Sequence, residues 1–291
     1  MNLTALLLSL GSGLAWAALD ATRKRFGDGG CHPAAVVLLM TVGMAVGFGA
    51  YVGATGSFTA PSAYALPLMV VVVANVAANL LFVRSVTLSP LSKTIPFLAA
   101  HPVLAALFAI PLLGEYPSLP QWLGIALVVL GALLVNAEGS FSPKGLWLAF
   151  RSEPGSPLMV LAGLGWAIAT PFDKRSIQLV GIPYHLFAAN LGIALAMLVI
   201  LTRGPGLGSI KALGRHPGAA IATLLLVYVA VGSQFLAYEQ APVALVETAK
   251  RILGLLSAVV VGRLVFREPI TPIKAFAVSA LLAGIGLVVV G

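Results

Sequence analysis

Ionisable side chains are scarce in this 291-residue chain: Asp, Glu, Lys and Arg together make up 9% of it, and Cys31 is its single cysteine. A soluble domain carries about 25% charged residues, and a surface so poor in ions could not stay hydrated. One cysteine excludes an internal disulfide, so stability must come from packing. His-Glu-x-x-His, Gly-x-Ser-x-Gly and Gly-x-x-x-x-Gly-Lys motifs are missing, as is any cluster of His or Cys at metal-ligand spacing. Hydrolytic, ATP-driven and metal-dependent chemistry therefore have no footing, and no cofactor is expected.

What abounds is apolar: 59% of residues are hydrophobic, and the mean hydropathy is +1.03. A hydrocarbon core about 30 Å thick needs about 20 such residues per helix. On that ruler, spans fall at 3–20, 33–54, 64–86, 91–112, 119–136, 157–177, 183–202, 217–239, 242–266 and 271–290. Gly29-Gly30, Gly56-Ser57, Ser89-Pro90, Gly204-Pro205-Gly206 and Glu268-Pro269 supply turn chemistry between them. The expected fold is an all-α integral membrane protein of ten transmembrane helices, set among the lipids of an inner or plasma membrane as a monomer or homodimer. Residues 3–19 lack a basic leader and run into further hydrophobic blocks, so they are expected to stay as the first helix. The net charge of +8 is spread between hydrophobic blocks, where it directs topology, and no nucleic-acid partner is expected.

The chain repeats itself. A shift of 150 lays Gly13 on Gly163, Trp16 on Trp166, Lys24 on Lys174, Arg25 on Arg175 and Pro33 on Pro183. A shift of 153 lays Glu115 on Glu268, Gly131 on Gly284 and Leu134 on Leu287. Single Gly or Leu matches mean little, whereas Trp and Lys-Arg at one fixed shift are hard to obtain by accident. The halves are thus 1–137 and 157–291, joined by a polar linker at 138–156. Five helices is an odd number, so the repeats must enter the membrane in opposite senses, as in many secondary transporters.

The residues that carry these features resemble the drug/metabolite transporter superfamily, specifically proteins with two EamA-type repeats. Gly13 to Ala17 and Gly165-Trp166-Ala167 match early in each half, and Leu112-Leu113-Gly114-Glu115 and Val265-Phe266-Arg267-Glu268 match late. In the ninth helix, Glu247-Thr248-Ala249-Lys250-Arg251-Ile252 is similar to the Lys-Arg helix of triose-phosphate and nucleotide-sugar translocators, where the pair binds substrate phosphate. The usual Glu-Pro further along that helix is missing. Lys93, nearest to those translocators' fourth-helix lysine, lies closer to the helix end.

Charges inside the membrane cost several kcal/mol unless paired, so they mark candidate sites. Glu247, Lys250 and Arg251 share one helix face, with Gly254 one turn further. If Glu247 neutralises Arg251, one cation is left over to attract a phosphate or carboxylate. The shift of 153 lays His101 on Gly254, so His101 is expected to line the same cavity; bonding a backbone carbonyl freed by Pro102 is the alternative. Asn79, with Asn75 on its face, and Gln234 are candidate uncharged contacts or helix–helix glue. Trp16 and Trp166 are candidates for stacking on a substrate or for packing.

The expected function is secondary transport of a small anionic or zwitterionic organic solute by alternating access, through exchange or proton coupling. A flippase for a lipid-linked phosphate would use the same cations, and an intramembrane enzyme acting on lipid phosphate would need Glu247 or His101 as its acid or base. Orientation is contested. EamA-type relatives keep both termini in the cytoplasm, but the charge rule places them outside, since the loops after odd-numbered helices hold Arg23, Lys24, Arg25, Lys144, Arg151, Arg203, Lys211, Arg215 and Arg267.

Overall fold

The computed structural model describes residues 1–56, 60–90, 94–135, 150–204, 207–264 and 271–291, with backbone alone at Pro96, Val135, Gly254 and 257–264. Part of the linker (138–149), Lys93, Lys144 and the second late signature, Val265 to Glu268, lie outside the described residues.

The described residues contain no strand and ten helices of more than ten residues. They are α1 (Leu3–Asp28), α2 (Pro33–Thr55), α3 (Ala65–Leu88), α4 (His101–Leu113), α5 (Leu119–Val135), α6 (Gly155–Val180), α7 (Ile182–Arg203), α8 (Pro217–Gln240), α9 (Val243–Leu264) and α10 (Pro272–Val290). Seven of them are long and apolar enough to cross a membrane unaided. α4 and α5 are shorter apolar helices, and α9 carries the buried Glu247. Large apolar side chains such as Leu3, Val46, Leu225 and Phe276 are more than half exposed on the outside, as a lipid-facing surface requires. The protein is an all-α, multi-pass integral membrane protein.

Two spans differ from expectation. The fourth is not one helix over 91–112: a 3-10 segment, Ile95–Ala100, precedes α4. Pro96 and Pro102 sit at the first turns of the two segments and Pro111 lies inside the second. Each proline removes a backbone donor and breaks the helical ladder. The first span does not stop at 20 but runs to Asp28. Its last charged turns are supported by Asp20–Arg23 at 3.2 Å and Lys24–Asp28 at 3.0 Å, spaced i,i+3 and i,i+4.

Both termini lie at one end of the bundle, where the Met1 amine donates to the Val289 carbonyl at 3.1 Å. This is called the termini end below. Helix packing follows a two-fold exchange of the first five helices with the last five. α1 packs on α8 as α3 packs on α6, α1 on α9 as α4 on α6, and α2 on α8 as α7 on α3. α2 meets α7, α5 meets α10 and α4 meets α9, each pair mapping onto itself. Small residues make the approaches possible, as is usual where lipid removes the hydrophobic drive between helices. A side-chain carbon on Gly124 would stand 2.6 Å from the Gly284 carbonyl, and one on Gly284 would stand 2.8 Å from the Gly124 carbonyl. Gly13 packs directly on the Lys250 carbonyl, locking α1 to α9.

Two lysines matched by the shift of 150 have the same structural duty. Lys24 Nζ donates to the Val86 carbonyl at the end of α3 at 2.7 Å, and Lys174 Nζ donates to the Ala241 carbonyl at the end of α8 at 2.8 Å. Each satisfies a carbonyl that the helix terminus leaves open. At the termini end Lys174 also pairs with Glu115 at 2.6 Å, and Glu115 accepts from Val243 N at 2.7 Å at the start of α9.

A charged cavity as candidate functional site

A central cavity of about 450 Å³ gathers side chains from both halves. All eight residues singled out in the sequence line it: Trp16 from α1, Asn79 from α3, His101 from α4, Trp166 from α6, Gln234 from α8, and Glu247, Lys250 and Arg251 from α9. The volume suits a small organic molecule.

Glu247 is the hub. Its Oε1 accepts from Lys250 Nζ at 2.8 Å and from the Tyr238 hydroxyl at 2.5 Å. Gln234 Oε1 accepts from Lys250 at 2.7 Å and from Trp16 Nε1 at 2.8 Å, while its Nε2 donates to the Tyr238 oxygen at 2.7 Å. Lys250, Glu247, Tyr238 and Gln234 thus form a closed ring of hydrogen bonds linking α8 to α9, with Trp16 tying in α1. Such a ring holds its members far more firmly than a single pair. The second oxygen of Glu247 lies 3.2 Å from His101 Nδ1. His101 therefore faces the carboxylate across the α4–α9 contact, and its ring makes no bond to a carbonyl freed by Pro102. The 3-10 turn sets α4 in this register; Phe97, laid on Lys250 by the shift, packs instead on Phe150.

The alternative ion pair of Glu247 with Arg251 is not the one formed. Lys250 reaches the carboxylate at i+3, whereas Arg251 has no ion-pair partner among the described residues, and its buried Nε lacks a hydrogen-bond acceptor. The expected surplus cation is also corrected. Asp20, Arg23 and Asp173 line the same cavity, so among the described residues three carboxylates (Asp20, Asp173, Glu247) meet three permanent cations (Arg23, Lys250, Arg251).

Arg23 was counted among loop charges, yet it is 1% exposed. It contacts Asp20 at 3.2 Å and Asn79 Oδ1 at 3.3 Å, and its guanidinium lies 5.2 Å from the Trp16 ring centre and 5.1 Å from that of Phe82. Cation–π contact and an ion pair make such burial tolerable. Trp166 packs on Phe82 from the other half, with ring centres 5.3 Å apart. Asp173 and His185 were missed as well; they pair at 2.9 Å, and both line the cavity. A signal was present: the shift of 150 that pairs the tryptophans also pairs Arg23 with Asp173, two opposite charges at one helical position.

The profile of the EamA-like transporter family matches residues 3–137. An uncharacterized transporter from Sinorhizobium sp, in a cobO 3′ region, is 31% identical over 125 residues, 42% of this chain and 89% of that protein. The chain belongs to the EamA-like transporter family. It falls with that family into the drug/metabolite transporter superfamily, a class of transporters and not of enzymes. The uncharacterized transporter YwfM of Bacillus subtilis (strain 168) is 35% identical over 77 residues, so the matched stretch spans only 26% of that relative's length. A solved crystal structure superposes with a TM-score of 0.68 over 98% of this chain and 96% of its own, at 17% identity, which shows a shared fold and nothing more. These matches do not show a likeness to triose-phosphate or nucleotide-sugar translocators, so the ninth-helix resemblance stands on its residues alone.

Proposed function

We propose that this EamA-family protein is a secondary transporter, moving a small organic solute that bears a carboxylate or phosphate by alternating access between the repeats 1–137 and 157–291. The observation that carries this reading is the unequal state of two neighbouring cations. Lys250 is held by Glu247 and Gln234, whereas Arg251 lines the same cavity with Nε unpartnered. A buried guanidinium Nε–H without an acceptor is costly, and an anion that accepts from it relieves that cost. Arg251 is then the primary anion contact, with Lys250 and Glu247 holding the ring that positions it. The balance of carboxylates and cations favours a zwitterion over a polyanion, because a net negative solute adds uncompensated charge to a low-dielectric site. Trp16 and Trp166 cover the solute's apolar part, and Asn79 and Gln234 its uncharged polar groups.

The test is a thermal-shift panel on purified protein, comparing amino acids, carboxylates, sugar phosphates and lipid-linked phosphates. The expected result is stabilisation by an amino acid or carboxylate in wild type that Arg251→Ala loses. Stabilisation by lipid-linked phosphates alone would replace the reading with a flippase. Stabilisation of Arg251→Ala equal to that of wild type would contradict the site.

A further inference from the structure

A second hydrogen-bonded chain runs from the termini end to the cavity wall, separate from the Glu247 ring. The Tyr64 hydroxyl lies 2.9 Å from His185 Nδ1, and His185 Nε2 lies 2.9 Å from Asp173 Oδ1. His185 is fully buried, and Tyr64 and Asp173 are buried beside it. Tyr64 stands just before α3, His185 in the first turn of α7, and Asp173 seven residues before the end of α6 at Val180, about 10 Å deep. Tyr184 and Phe235 frame the histidine and tyrosine with ring centres at 5.9 and 5.7 Å.

The repeated fold does not require this chain. Under the shift of 150, Arg23 takes the place of Asp173 and Ala35 that of His185, so the first half packs α1 and α2 with no such pair. A titratable pair present in one repeat only, and lining the cavity, calls for a reason other than packing. In membrane interiors Asp, Glu and His in series are the usual proton relays. We infer that Asp173 and His185 form the proton-coupling site of this transporter, taking up one proton in each cycle. The inference deepens the transport reading above and rests on it.

The protons balance as follows. With His185 neutral, Nε2–H donates to Asp173 and Nδ1 accepts the Tyr64 O–H. On uptake the Tyr64 O–H bond breaks as Nδ1–H forms, and the Tyr64 oxygen regains a proton from hydronium at the termini end, leaving water. The product is an imidazolium–carboxylate pair whose Nδ1–H donates back to Tyr64. The groups that face Asp173 across the packed helices are Glu247 and Lys250 from α9 and Tyr238 from α8. α4 adds His101 to the same cavity. Lys174, next in sequence, turns instead to Glu115 and the Ala241 carbonyl. Before uptake the three carboxylates and three cations cancel; after it the cavity carries one positive charge.

The proton itself is the probe. Proteoliposomes on a solid-supported membrane, with no solute present, are stepped from about pH 8 to about pH 6, and the displaced charge is integrated. Asp173→Asn and His185→Gln are each expected to lower that charge at least about fivefold relative to wild type, and Tyr64→Phe to slow it without changing its total. Wild-type charge in both variants, or no charge in wild type, would overturn the proposal while leaving the solute-binding result untouched. Should either variant fail to give a monodisperse protein, ¹⁵N-histidine spectra of wild type and Tyr64→Phe decide. One ring, perturbed by Tyr64→Phe, must pass from the Nε2–H form to imidazolium as pH falls; a ring that stays neutral down to about pH 5 overturns the proposal.

Discussion

At the residue scale, Lys250 and Arg251 are neighbours with different duties, and their variants should separate them. Loss of a charge-assisted hydrogen bond to an anion is worth about 1.5–3 kcal/mol, or about 10–100-fold in affinity. Arg251→Ala is expected to weaken solute binding by about that factor with little change in melting temperature. Lys250→Ala is expected to lower the melting temperature as well, because it strips Glu247 and Gln234 of a shared donor and leaves a buried carboxylate under-compensated. Calorimetric titration and thermal unfolding on the same preparations read both quantities, and equal melting temperatures for the two variants would refute the division. The eight cavity residues were legible because charge, amide and indole stand out against an apolar background. Asp20, Arg23, Asp173 and His185 were not, because a charge a few residues from a predicted helix end looks the same whether the helix stops or continues. α1 and α6 continue to Asp28 and Val180, which carries Asp20, Arg23 and Asp173 inward, and His185 meets Asp173 from the first turn of α7.

At the element scale, hydrophobic length placed nine of the ten helices within a few residues, apart from the far end of α1. The fourth span failed because a run of apolar residues reads as continuous even where Pro96 and Pro102 divide it into a 3-10 segment and α4. Two contacts between elements lend themselves to test. Gly13 packs on the Lys250 carbonyl, so Gly13→Val must push α1 away from α9. Overpacking of this kind costs about 1–3 kcal/mol, and the variant should melt below wild type and bind solute more weakly. A Gly13→Val protein as stable as wild type would show that the close approach is not needed. At the termini end, Lys174 joins Glu115 and the α8 terminus, with Glu115 holding the start of α9. Removing one partner of such a largely buried pair with Lys174→Met is expected to cost about 3 kcal/mol, seen as faster thermal inactivation.

At the scale of the whole molecule, the repeat was legible from Trp16 and Trp166, and the packing of α1 on α8 and α3 on α6 follows the exchange it implies. Burial of Arg23 and the bonding of Lys24 to the Val86 carbonyl remove both from the loop charges that direct topology. Arg25, Arg203, Lys211 and Arg215 remain, all toward the end opposite the termini, so the charge rule still places the termini outside. A C-terminal fusion is expected to show phosphatase activity without green fluorescence, and the reverse would restore the cytoplasmic placement. On the proposed function, a solute crosses through the charged cavity and Arg251 holds its anionic group. Exchange of the radiolabelled solute that best stabilises the purified protein, measured across proteoliposomes, tests it most directly. Saturable exchange is expected in wild type, and at least about tenfold slower exchange in folded Arg251→Ala at sub-saturating solute. Exchange at the wild-type rate in that variant would contradict it.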